Sequence, residues 1–116
     1  MTERKRLIAR LDKLWSRQVK ERTDYTCEYC GRINVPVDPH HYIGRANLTL
    51  RHDLSNGFCL CTRCHRLAEQ YPEGFEKFAY WSRGAKWWHY ISVKKLLVAP
   101  YNLKIIEYGN WDLTKS

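Results

Sequence analysis

Two cysteine pairs of identical spacing carry the first chemistry legible in the chain: Cys27-Glu-Tyr-Cys30 and Cys61-Thr-Arg-Cys64, with residues 31–60 between them. Two residues between thiolates let one turn present both sulfurs to one ion, and two such turns complete a tetrahedral shell. Cys27, Cys30, Cys61 and Cys64 are therefore expected to hold a structural Zn²⁺. Gly31, directly after the first pair, lets the backbone fold back so that N–H groups donate to the thiolates. A redox CxxC normally stands alone after a strand of a thioredoxin-like unit, which is not the setting here. Four thiolates fill every position around the ion, so this zinc holds the fold and any reaction must use other residues. The fifth thiol, Cys59, alternates with Cys61 and reads as a small buried hydrophobe.

Those other residues lie within and just after the same stretch: His40-His41, Asn56 and His65. Neighbouring residues at a strand end point to opposite sides, so His40 and His41 cannot easily do the same job. His65 falls in the first turn of a helix that the zinc turns bring against the strands. His40 and His65 can then share one divalent cation that keeps positions open for water and a phosphate oxygen. His41, neutral near pH 7, would deprotonate the attacking water. The metal would stabilise charge on the phosphorane and on the departing 3′ oxygen. Blander roles exist for two of these residues. Asn56-Gly57 is a turn signal in its own right, and His65 could cap its helix or support the zinc turn.

The elements that must position these groups are of both kinds, so the fold class is α+β. Residues 2–22 predict a helix capped by Thr2, with Leu7, Leu11, Leu14, Trp15 and Val19 at three- and four-residue steps and Ile8 widening the stripe. Its polar face holds eight basic and three acidic residues, either a solvated face or one that also meets a phosphate backbone. Val35–Ile43 is rich in β-formers, although Pro36 and Pro39 confine it to an edge or irregular strand. A basic loop with Arg45, Arg51 and His52 leads to a short strand at 57–60. Helices are expected over 61–70, 72–82 and 85–97, and a terminal strand over 102–108. The aromatic residues Phe75, Phe78, Tyr80, Trp81, Trp87, Trp88 and Tyr90 sit at helical spacing, which favours packing over base stacking.

At 116 residues the chain reads as one domain. Its parts are a basic amphipathic helix (1–24), the zinc-stapled centre (25–70) and a helical C-terminal extension (71–116). Its 44% hydrophobic and 28% charged residues fit a folded protein. No apolar run reaches the roughly 20 residues needed to span a bilayer, and no signal-peptide core follows the start. A cytoplasmic protein without a membrane partner is expected. Twenty lysines and arginines against 12 acids give a formal charge of +8, which favours a polyanion such as DNA as partner.

Taken in order, the chemistry-bearing residues resemble an HNH endonuclease of the ββα-metal class, in the version built around two CxxC zinc turns. The matching string is Cys27-Glu-Tyr-Cys-Gly31, then Asp38-Pro-His-His-Tyr-Ile-Gly-Arg45, then Leu50-Arg-His-Asp-Leu-Ser-Asn-Gly-Phe-Cys-Leu-Cys-Thr-Arg-Cys-His65. It is similar to small HNH proteins of phages and prophages. The resemblance implies His41 as general base, with His40 and His65 as ligands of a catalytic divalent metal (Mg²⁺, Mn²⁺, Ni²⁺ or Zn²⁺). It implies that Asn56 orients His41 or contacts that metal, and that Arg45 and Arg51 meet phosphates. Asp53 would support the loop; His52, where relatives often have tryptophan, and His89 would stand outside the chemistry. The implied activity is metal-dependent hydrolysis of DNA phosphodiesters in phage or prophage DNA processing: recombination, packaging or junction cleavage. Other phage DNA-processing proteins would then be partners, and the bacterial host cytoplasm the compartment. The alternative is a zinc-stabilised nucleic-acid-binding module without turnover. Oligomeric state stays open.

Overall fold

The computed structural model describes residues 2–97. In chain order it contains α1 (Glu3–Arg22), β1 (Val37–His41), a 3₁₀ turn (Leu54–Asn56), β2 (Gly57–Cys61), α2 (Thr62–Gln70) and α3 (Pro72–Lys94). The architecture is α+β, with a two-stranded antiparallel sheet. The terminal strand expected over 102–108 lies outside the described residues.

Helix α1 forms where the apolar stripe demanded it. The Thr2 hydroxyl accepts from the Lys5 N–H at 3.2 Å, which satisfies one of the first-turn donors. Glu3 near the start and Lys20 and Arg22 near the end oppose the helix dipole. Leu7, Leu11, Trp15 and Val19, four residues apart, are its buried line.

The two strands pair from Val37 opposite Cys61 to His41 opposite Gly57. A two-stranded sheet leaves one side of β1 unpaired, which is where Pro39 is tolerated. Successive β2 side chains point to opposite faces, and both faces are covered. Cys59 packs with Trp15, Val19 and Leu54 under α1, and is the buried hydrophobe its position implied. Phe58 and Leu60 pack on the other side with Ala68, Phe75 and Ala79 of the later helices.

Gly57 departs from the turn role its pairing with Asn56 suggested. Its φ of −109° is open to any residue. A Cβ there would lie 2.5 Å from Val19 Cγ2 and 2.9 Å from Trp15 Cζ2, so the glycine serves the close approach of α1 to β2. Gly57→Ala is expected to destabilise the fold by about 1–3 kcal/mol through overpacking. Gly74→Ala, with nothing within 4 Å of the new carbon, should not destabilise it. Urea denaturation of both variants checks this.

The two helices expected over 72–82 and 85–97 are the halves of α3, which runs to Lys94 and is interrupted at Gly84 (φ 89°, ψ 176°). The left-handed φ is one that only glycine adopts without strain. The aromatic residues divide between two roles. Phe75, Phe78 and Trp87 pack against the core, whereas Trp81 is 82% exposed.

Arginines from both flanking helices close the start of β2. Arg22 donates to the carbonyls of Leu54 at 2.8 Å and Gly57 at 2.7 Å, so it faces inward rather than joining the basic outer face of α1. Arg83 lies 3.6 Å above the Phe58 ring, donates to the Ser55 carbonyl at 2.9 Å and pairs with Glu28 at 3.0 Å. Glu28 also accepts from the Cys59 N–H at 2.6 Å. The residue between the first two cysteines is thereby bound to both the sheet and α3.

Candidate functional site

The antiparallel register draws the two cysteine pairs together. Cys27 and Cys30 come from the turn before β1, Cys61 ends β2, and Cys64 lies in the first turn of α2. Their four sulfurs all lie within 4.8 Å of one another. Cys61 also caps α2, its sulfur accepting from the Cys64 N–H at 3.5 Å. Gly31 takes φ 77° and its N–H bonds the Cys27 carbonyl at 2.9 Å, so the glycine closes the turn rather than donating to sulfur. Burial alone would raise the Cys27 thiol, but backbone N–H groups of Cys30, Cys61 and Tyr29 bring it down to about 7. Burial and the neighbouring sulfurs push Cys64 up. Four converging sulfurs, three of them buried, form a donor set that can hold a structural metal such as zinc.

At the other end of β1 the imidazoles separate as strand geometry requires. His40 meets His65 edge-on, with ring centroids 5.1 Å apart, and its other neighbour is Phe75 at 5.2 Å. Carboxylates flank His65: Asp38 Oδ2 is 3.9 Å from Nδ1, and Glu69 Oε1 is 3.8 Å from Nε2. Both acids escaped the sequence reading. Their signal was present, since Asp38 is two strand residues before His40 and Glu69 is four helical residues after His65. Burial, then the nearby His65 and His41, hold His40 down at about 4.

His41 turns toward α1 and stacks on Trp15, with centroids 3.9 Å apart and planes 14° from parallel. Its Nε2 lies 3.0 Å from the Arg51 carbonyl oxygen. A carbonyl only accepts, so the neutral ring carries its proton on Nε2 and leaves the Nδ1 lone pair unspent. Burial, followed by the charges of Arg45 and Arg51, lowers its pKa to about 4 despite the carbonyl bond, so the ring is neutral at pH 7. Trp15, read from the sequence as a core residue, is also the wall that holds this imidazole. It donates in turn to the Asp53 carbonyl at 2.9 Å.

Asn56 is fully buried, and its bonds do not run to His41. Its Oδ1 accepts from the Ile43 N–H at 2.7 Å, while Nδ2 donates to the carbonyls of Ile43 at 2.9 Å and Leu50 at 3.1 Å. The amide thus ties Ile43, just after β1, to Leu50 in the middle of the loop, and acts on His41 only through the backbone around it. Asn56→Ala leaves buried loop groups unpaired. It should cost about 1–3 kcal/mol of stability in a denaturation experiment.

Arg51, expected to meet a phosphate, is engaged by a carboxylate of α1. Its Nε and Nη2 grip the Asp12 carboxylate at 3.0 and 2.8 Å, with only 17% of the side chain exposed. A bidentate pair to a carboxylate takes one edge of the guanidinium fork. His52 donates to the same carboxylate at 2.7 Å. Arg45 approaches it at 3.6 Å but stays 63% exposed, and so remains accessible to a phosphate.

This cluster makes stability pH-dependent with a definite sign. Asp12 is lowered from 3.8: burial raises it, but hydrogen bonds from Arg51 and His52 outweigh that. His52 is lowered from 6.5 by burial, against the pull of Asp12. In both cases the unfolded chain binds more protons, so stability rises with pH and is lost on acidification. The His52 part disappears as pH falls from 6.5 through its lower folded value, and the Asp12 part below 3.8. Melting temperatures between pH 7 and 4 should therefore fall, and His52→Gln should flatten the upper part of that slope.

Two clefts open on the histidines. One, ≈500 Å³, runs between Asp12, Trp15, Arg45, His65 and Glu69. The other, ≈560 Å³, lies between Tyr42 and the two halves of α3. His40 and His41 line both. Among the described residues no helix is long and apolar enough to cross a membrane. No protein-family model, curated protein or solved structure matches this chain.

Proposed function

We propose that the chain is a metal-dependent DNA endonuclease of the HNH, ββα-metal type, acting in phage or prophage DNA processing such as recombination, packaging or junction cleavage. The observation that carries this reading is the division of labour at the end of β1: His40 faces His65 across 5.1 Å, while His41 is held apart by Trp15 and the Arg51 carbonyl. Two imidazoles at that separation, with carboxylates beside one of them, suit a divalent cation that keeps open positions. Such a cation would supply Lewis-acid stabilisation of charge on the phosphate and the leaving 3′ oxygen.

The remaining work falls to the protein's own groups. His41 takes a proton from the attacking water at Nδ1, while its Nε2–H stays on the Arg51 carbonyl. Its low pKa keeps the lone pair available at neutral pH. Arg45 meets the phosphodiester at the cleft surface. The exposed Arg4, Lys5, Arg6, Arg10, Lys13 and Arg17 on α1 add a sequence-independent attraction to the backbone. In-line attack leaves a 5′ phosphate and a 3′ hydroxyl.

Supercoiled plasmid tests the proposal. With Mg²⁺, Mn²⁺ or Ni²⁺ the zinc-loaded protein should convert it to nicked circles, and both nicking and binding should weaken steeply with salt. Salt-dependent binding with no nicking under any of these metals would instead favour the binding module without turnover.

A further inference from the structure

The ≈560 Å³ cleft on the α3 side of His40 and His41 has walls that the hydrolytic reading leaves unused. Tyr42, next along the chain from His41, sits between the two halves of α3. Phe75 of the first half is 6.5 Å from its ring, and Trp88 of the second half is 6.3 Å away and nearly perpendicular to it. The two halves, joined at the Gly84 kink, both line the cleft. The loop after β1 is fastened to the far end of α3, with Asn47 donating to the Lys95 carbonyl at 3.0 Å and Thr49 to that of Leu97 at 2.7 Å. Glu76, Ser92 and Lys95 add a carboxylate, a hydroxyl and an ammonium to the aromatic lining.

This lining fits one moiety of a nucleic acid in particular. The volume falls within the range of about 300–1,000 Å³ typical of small-ligand sites. Aromatic faces with a few polar groups suit a flat heterocycle with hydrogen-bonding edges. The exposed Arg45 guanidinium, which suits the phosphate itself, lines the neighbouring cleft and not this one. A base in an intact duplex must first be unstacked and unpaired, at a cost of a few kcal/mol, whereas an unpaired base enters at little cost.

We propose that this cleft receives an unpaired nucleobase beside the scissile phosphate, with Trp88 as its stacking face. The substrate class is then DNA with displaced, bulged or single-stranded nucleotides in preference to uninterrupted duplex. The proposal rests on the nuclease reading for the position of the phosphate, but base binding itself requires no turnover.

The test uses the zinc-loaded protein without added catalytic metal and oligonucleotides carrying 2-aminopurine, either unpaired at a flap or bulge or paired in matched duplex. Binding should quench the unpaired probe and leave the paired one nearly unchanged, with affinity for unpaired DNA about tenfold higher. Trp88→Ala should abolish the quench and erase the affinity difference, while Trp88→Phe retains both; circular dichroism and zinc content verify folding. Equal affinities for the two DNAs, or a quench that survives Trp88→Ala, would overturn the proposal. The two readings fail separately. Stacking without cleavage under any metal removes the nuclease reading alone, and cleavage with no preference for unpaired DNA removes this one alone.

Discussion

Removing the metal from the four-cysteine cluster is expected to collapse the strands and α2 together. The cluster joins the turn before β1, the end of β2 and the start of α2 within 4.8 Å, and no disulfide substitutes for it. Cys61 is both a prospective ligand and the cap of α2, so its loss frees a helix end as well as the ion. Structural zinc sites contribute about 10–16 kcal/mol of apparent binding energy. That matches or exceeds the entire stability of an ordinary domain, about 5–15 kcal/mol. Metal analysis should find one zinc per chain. Chelator, or Cys61→Ser, should abolish the near-ultraviolet aromatic signal and much of the helical signal. A melting curve indifferent to chelation would mean that the sulfurs meet without holding the fold.

On the nuclease proposal, replacing His41 by alanine is the substitution expected to cost the most activity. A positioned general base contributes about 10²–10⁴-fold, and here its lone pair is aimed by the Arg51 carbonyl and the Trp15 ring. Nicking by His41→Ala should fall by about that factor. The metal concentration giving half-maximal rate should stay near that of wild type. His40→Ala and His65→Ala should behave differently, needing at least about tenfold more metal. Because His41 also packs on Trp15, its variant's melting temperature must be recorded alongside. Wild-type nicking by a folded His41→Ala protein would remove the imidazole from the mechanism.

The contrast between these residues and Asn56 shows what can be read from a chain and what cannot. CxxC spacing, the four-residue stripe of α1 and the alternation along β2 are local periodicities, and each persists in the fold. So does the divergence of His40 and His41, which follows from the pleat alone. The partners of Asn56 depend on the path of the intervening loop, which has no periodicity. Arg51 reads as a free cation until Asp12, far away on α1, is folded against it. Gly57 shows the same limit. Its neighbour suggested a turn torsion, whereas the reason for the glycine is a tryptophan and a valine from another element. Asp38 and Glu69, by contrast, lie where local rules reach, two strand residues from His40 and four helical residues from His65.

Gly84 has a consequence for how the molecule can be altered. A side chain at that position would touch nothing within 4 Å, so any penalty it carries is torsional rather than steric. Replacing it would favour one straight rod, against the bonds that hold the second half in place: Trp87 to the Ser55 carbonyl at 2.6 Å, Asn47 to that of Lys95 and Thr49 to that of Leu97. The opening beside His40 and His41 is thus set jointly by one backbone torsion pair and by the ties from this segment to the 3₁₀ turn and the loop after β1.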